Sequence, residues 1–181
     1  MIAVAQPLLN YLFHREEELW TFRISGPFAM TDHNGRPVTE KDFAGKAKAI
    51  FAGFTHCPDV CPTTLARLSG LMQKLGSDAD KLKIVLVSVD PERDTPEVLK
   101  VYLAAFDPRF VGLTGSPEQL GVFAKTFRIF YEKVPDSSGG YTMNHSAGVL
   151  LFRKSGEFQG TIDREESDKV ALEKLKMLLD R

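Results

Sequence analysis

Cysteine occurs twice in this 181-residue chain, and both copies fall within 54-FTHCPDVCP-62, at Cys57 and Cys61. Thiolates attack disulfides and bind soft metals, so two thiols four positions apart offer either a redox pair or part of a metal site. They also read as two core residues that happen to be neighbours. The spacer is one residue longer than in the common redox motif C-x-x-C. A disulfide needs Cβ atoms about 3.5–4.5 Å apart, which a turn satisfies and a rigid helical i,i+4 pair strains. The longer spacer suits a metal held between two sulfurs. Pro62 favours the first helical position, which predicts a helix starting there, with Cys61 outside the helical region. Both thiols then lie on a turn at a helix N-terminus, where the macrodipole favours thiolate.

Two thiolates alone make a poor site for most metals, which directs attention to the four histidines, His14, His33, His56 and His145. His14 and His33 read as solvated surface. His56 adjoins Cys57, but an extended run turns its side chain to the opposite side, so it reads as support. His145, in 142-TMNHSAGVLL-151, reads as lying in the loop that enters a core strand. It is either a third ligand or a buried, hydrogen-bonded histidine.

The elements that must position these groups follow from periodicity. Residues 27–39, PFAMTDHNGRPVT, read as a β-hairpin whose Asn34-Gly35 pair suits a type I′ turn. The apolar run 47-AKAIFAGF-54 is a strand that ends at the cysteine motif. Leu65, Leu68, Leu71, Met72 and Leu75 recur at helical spacing, with Gly76 as the stop. A second strand, 83-KIVLVSV-89, is apolar throughout, as in a sheet covered on both faces. The polar loop 90-DPERDT-95 follows it. Thr95-Pro96 then opens a helix to about Ala104. A strand near 110-FVGLT-114 precedes Ser116 and Gln119, which have capping-box spacing. That helix turns Leu120, Phe123, Ala124 and Phe127 inward. Strands 148-GVLLFR-153 and 157-EFQGTI-162 form a second hairpin before a last helix near 167–180. This last helix presents Val170, Leu172, Leu175, Leu178 and Leu179. The order predicts an α/β sandwich with three crossover strands and two antiparallel ones. Its cysteine motif sits at a strand's carboxyl end, where ligands gather in such sheets.

Composition narrows the function classes. At 43% hydrophobic and 26% charged, the chain has material for a full core, so the cysteines are not needed as a staple. A net charge of −1 and the lack of a long basic run exclude an electrostatic nucleic-acid surface. Residues 1–25 are apolar in places but broken by Gln6, Pro7 and Asn10, and they lack both a basic start and an unbroken span of about 20 residues. They read as a separate N-terminal segment, either loosely packed or a remnant beside a membrane anchor. Residues 26–181 read as one domain.

Five stretches together carry a specific resemblance: 27-PFAMTDHNGRPVT-39, 53-GFTHCPDVCPTTL-65, 88-SVDPERDTPEVL-99, 112-GLTGSPEQL-120 and 144-NHSAGVLLF-152. Through them the chain resembles the Sco/SenC family of copper-handling thioredoxin-fold proteins. The resemblance implies a thioredoxin-like α/β fold, a central mixed β-sheet flanked by helices, with an N-terminal β-hairpin. It implies that Cys57, Cys61 and His145 bind one copper ion, as copper(I) or copper(II). It implies delivery of copper to the dinuclear copper site of cytochrome c oxidase subunit II, or maintenance of that site's thiols, among other copper chaperones. The family's usual setting is the bacterial periplasm or the mitochondrial intermembrane space, with attachment through a membrane anchor. One departure stands out: the family's Asp before the histidine is Asn144 here, which would weaken any carboxylate effect on the imidazole.

Two thiolates and an imidazole form a soft to intermediate set that favours copper(I), and a three-ligand site leaves the ion reachable. Structural zinc wants four protein ligands, and no fourth is evident. On this reading the motif is a metal claw that can also close as a disulfide. The second function is a thiol–disulfide oxidoreductase using Cys57 and Cys61. A peroxidase ranks third, because 50-IFAGFTH-56 lacks the Pro-x-x-x-Thr-x-x-Cys context usual in that class. In the loop 90–95, Asp90, Glu92, Arg93 and Asp94 read as a capped polar loop or a partner-docking surface. Asp59 reads as solvated or, between the cysteines, as a partner contact, and Phe51, Phe54, Phe123, Phe127 and Phe130 read as core.

Overall fold

The computed structural model describes residues 26–137 and 139–180. His14 and the segment 1–25 lie outside the described residues. The chain opens with a hairpin, β1 (Ala29–Asp32) and β2 (Pro37–Thr39). Its turn differs from expectation. Gly35 alone has positive φ, at 78°, and the Gly35 N–H donates to the Asp32 carbonyl at 2.9 Å. This is a three-residue loop, a type I turn followed by a left-handed glycine. The Asp32 carboxylate holds it, accepting from the Asn34 and Arg36 N–H groups at 2.8 and 2.9 Å, so Asn34 never needs positive φ.

The core follows as β3 (Ala47–Gly53), α1 (Val60–Leu75), β4 (Leu82–Ser88), α2 (Pro96–Leu103), β5 (Val111–Thr114) and α3 (Pro117–Phe127). After a separate hairpin come β8 (Val149–Phe152), β9 (Phe158–Ile162) and α4 (Asp168–Leu179). The seven-stranded sheet runs β2-β1-β5-β4-β3-β8-β9. Strands β3, β4 and β5 are parallel, while β1, β8 and β9 pair antiparallel, giving the expected mixed sheet flanked by helices. Along β3, alternate residues face opposite layers. Phe51 and Gly53 look toward α1, whose Cys61 approaches Gly53. Ile50 lines a cavity with Phe123 and Phe127 of α3 on the other side.

The caps follow the sequence. Thr95 accepts from the Val98 N–H with Pro96 first in the helix, Ser116 and Gln119 form the capping box, and Gly76 ends α1 at φ 59°. Two expectations fail. Helix α1 starts at Val60, not Pro62, so Cys61 is helical. Proline is tolerated at the third position because the first four helical N–H groups have no intrahelical partner. Val170 is 41% exposed, whereas Ala171, Leu175 and Leu178 form the buried stripe of α4.

Strands β6 (Tyr131–Pro135) and β7 (Tyr141–His145) have no counterpart in the sequence reading. They pair only with each other, in a two-stranded ribbon separate from the main sheet, with Tyr131 opposite His145. His145 therefore ends a strand and does not sit in a loop.

Candidate metal centre

Gly53 ends β3 directly behind the cysteines. A Cβ there would stand 3.1 Å from Cys61 Sγ and 3.0 Å from both Leu86 Cδ1 and Phe51 Cε1. Glycine thus makes the room that lets the first turn of α1 press its sulfur against the strand end. Cys57 lies in the preceding turn, and its Sγ accepts the Cys61 N–H at 3.3 Å. The Cys57 sulfur thereby satisfies one of the helix's unpaired N–H groups.

His145 arrives from the ribbon. Its Nε2 is 3.8 Å from Cys61 Sγ, and the ligand atoms of Cys57, Cys61 and His145 all lie within 4.8 Å of one another. An ion with bonds of about 2.3 Å to sulfur and about 2.0 Å to nitrogen, in a trigonal plane, separates its ligand atoms by about 4 Å. The set therefore needs only small closure to hold one ion. His145 Nδ1 lies 2.9 Å from the Ser146 carbonyl. A carbonyl only accepts, so Nδ1 carries a proton, and in the neutral ring the lone pair is left on Nε2, on the side of the sulfurs. Phe51 and Phe54 meet the ring edge-on, at centroid distances of 6.2 and 5.8 Å.

Cys61 is fully buried, while Cys57 and His145 are partly exposed. Burial, reinforced by the hydrogen bond and charge of Cys57, pushes the Cys61 thiol far up. For Cys61 this corrects the expectation that the helix terminus would favour thiolate, because desolvation is the largest influence on it. A bound soft cation would take the place of that proton.

The loop after β4 is more than a capped polar turn. Asp94, with no exposed surface, accepts from the Thr55 N–H at 3.0 Å and from the Thr55 and Ser88 hydroxyls at 2.6 Å. Asp90 is also buried and accepts from the Arg93 guanidinium and, at 2.9 Å, from the Tyr141 hydroxyl. Burial and the Asp90 carboxylate push the Tyr141 phenol up to about 12.

Other expectations resolve by position. His56 is exposed and bonded to Thr55, apart from the cluster. His33 is not solvated surface, because its Nδ1 accepts the Gly112 N–H at 3.0 Å and this hairpin turn packs on β5. Asp59 is exposed, accepting from the Thr63 hydroxyl at 3.2 Å. Phe130 is 59% exposed rather than core, because it lies beyond α3 where the chain leaves the sheet. Asn144 is exposed, one position out of phase with His145, and the partner of the imidazole Nδ1 is the Ser146 carbonyl. Sequence reasoning passed over Gly53, Thr55, Tyr141 and that carbonyl. Only the glycine closing a strand before the cysteines was a readable signal.

A mixed sheet flanked by helices, with two thiols and an imidazole converging at a strand's carboxyl end, is a thioredoxin-like fold. The SCO1/SenC family model matches residues 16–180, and the chain belongs to that family. It is 43% identical to the copper-bound ScoI of Bradyrhizobium japonicum, covering 85% of this chain and 98% of that one, with a TM-score of 0.79. The copper-bound ScoI of Arabidopsis thaliana superposes with a TM-score of 0.81 at 32% identity, over 86% of this chain and 98% of that one. The mitochondrial protein SCO2 of Saccharomyces cerevisiae is 38% identical over 157 residues, 84% of this chain and 52% of its own length. The chain thus spans about half the length of several curated relatives it matches. Among the described residues, no helix is long and apolar enough to cross a membrane.

Proposed function

We propose that this chain is a copper metallochaperone in which Cys57, Cys61 and His145 hold one copper(I) ion as cargo. The convergence of the three ligand atoms within 4.8 Å carries this reading. Two thiolates and an imidazole select a soft ion, and no fourth ligand joins them among the described residues. Because Cys57 and His145 are partly exposed, a receiving protein's ligands can reach the ion from the open side. The recipient proposed is the dinuclear copper site of cytochrome c oxidase subunit II, with other copper chaperones as donors. The setting proposed is the periplasmic side of a bacterial inner membrane, or its mitochondrial counterpart, the intermembrane space. Residues 26–181 form the copper-binding domain and 1–25 a separate segment.

The unequal exposure of the two thiols favours a second reading, thiol–disulfide exchange. The accessible Cys57 thiolate attacks one sulfur of a partner disulfide, and the partner's other sulfur leaves as thiolate. Cys61, after losing its proton, attacks Cys57 Sγ and releases the second partner thiolate. The partner gains two electrons, and the chain ends as the Cys57–Cys61 disulfide.

Metal analysis after anaerobic copper(I) loading tests the first reading. Reduced protein should retain one copper per chain, and protein oxidised beforehand far less, because disulfide sulfurs are not anionic ligands. Equal retention by both forms would contradict it.

A further inference from the structure

The loop between β4 and α2 grips both halves of the candidate ligand set. On the cysteine side, buried Asp94 takes the Thr55 N–H and hydroxyl, two residues before Cys57. On the histidine side, Asp90 accepts the Tyr141 hydroxyl at 2.9 Å and pairs with Arg93. Arg93 Nη1 donates to the Tyr141 carbonyl at 3.1 Å, and its guanidinium carbon lies 3.8 Å from the Tyr141 ring centroid. Lys133 Nζ lies 3.9 Å from the same centroid and binds Glu92 at 2.7 Å. Tyr141 and Lys133 belong to β7 and β6, the ribbon that carries His145 and joins no strand of the main sheet.

We propose that Asp90, Arg93 and Tyr141 are positioning residues: their clasp sets where the ribbon docks and so holds His145 Nε2 at ligand distance from the two sulfurs. The inference rests on the copper reading above. A two-stranded ribbon is marginal without packing against something else. The clasp supplies a charge-assisted bond, a carbonyl contact and a cation over an aromatic face, all converging on one residue four positions before His145. Apparent affinity falls in proportion to the fraction of molecules in the binding-competent arrangement. If release of the clasp leaves about one molecule in ten with His145 in place, copper binding weakens about tenfold with every ligand still present.

The test is copper(I) competition against a chelator for the parent, Arg93→Ala, Tyr141→Ala and Tyr141→Phe, each with His145 and with His145→Ala. Arg93→Ala and Tyr141→Ala should weaken binding about tenfold. Tyr141→Phe, which keeps the ring beneath the two cations, should weaken it less. All three penalties should vanish when His145 is already alanine, because the clasp acts through that ring. Without metal, amides of residues 141–145 should exchange faster in both alanine variants. Arg93→Ala strands the buried Asp90 carboxylate, and if that prevents folding, Tyr141→Ala decides the matter. Parent-like affinity in the folded alanine variants would overturn the proposal, as would a penalty that persists without His145. Failure of the underlying reading shows separately, as a parent that takes up no copper or binds it equally well after His145→Ala, and it removes the proposal too.

Discussion

Cys61 and His145 stand 3.8 Å apart, yet they belong to regions held in different ways. The cysteine limb is built into the core. Cys61 has no exposed surface, its sulfur rests against Gly53 of β3, and Asp94 fixes the turn before Cys57. The histidine limb is a ribbon outside the main sheet, docked by side chains, with β6 largely exposed and Met143 the buried residue of β7. A binding site made from one rigid half and one docked half can hold an ion and still open toward a recipient. A metal locked between core elements could not be released without local unfolding.

The largest expected effect strikes the rigid half. In Gly53→Ala the new methyl meets Cys61 Sγ at 3.1 Å and two core carbons at 3.0 Å, so the strand end and the first turn of α1 must move apart. Overpacking of this kind costs about 1–3 kcal/mol, which thermal or urea unfolding would register. Copper affinity should fall with it. Unchanged stability would mean that the cysteine limb is looser than its packing suggests.

Cys61 also sharpens the contrast through pH. Burial holds its thiol above the ordinary value of 9.0, so the unfolded chain ionises first as pH rises. This contribution to stability is complete below that value and is lost progressively above it, until the folded thiol also ionises. The slope is about 1.4 kcal/mol per pH unit at most. Urea midpoints of metal-free, reduced protein measured across the thiol range should therefore fall more steeply than those of Cys61→Ala. Matching slopes would place the titration elsewhere.

The smallest effect is expected on the docked half. Asn144 is exposed and out of phase with His145, so Asn144→Asp should change copper affinity by less than about 0.5 kcal/mol, or roughly twofold, as for surface substitutions. A larger gain would give the family's usual aspartate a role that the Ser146 carbonyl does not already fill.

The same division governs what the sequence disclosed. The apolar runs of β3 and β4, the leucine spacing of α1 and the caps at Thr95 and Ser116 are local signals, and all of them stand in the fold. The ligand types Cys57, Cys61 and His145 were visible as chemistry, and the resemblance brought them together. The ribbon was not visible, because 131-YEKVPDSSGGYTMNH-145 lacks apolar alternation and its docking partners lie 41 to 51 residues away. Burial of Cys61 was missed for a related reason. Helix dipole and proline rules describe the terminus in isolation, whereas the sulfur's environment is set by Gly53 on another element. Phe130 looked like core by type and proved exposed by position.

The most direct test of the central claim is His145→Ala, measured by copper(I) competition against a chelator and by the reduction rate of a model disulfide in the same preparations. Removing the imidazole takes away one of the three proposed ligands and leaves both thiols in place. We expect copper binding to weaken by more than the 10–100-fold typical of changes behind the ligands. Disulfide reduction, which depends on thiolate fraction, access and leaving group, should change far less. Copper binding equal to that of the parent would contradict the claim, removing His145 from the site and leaving thiol–disulfide exchange as the better account.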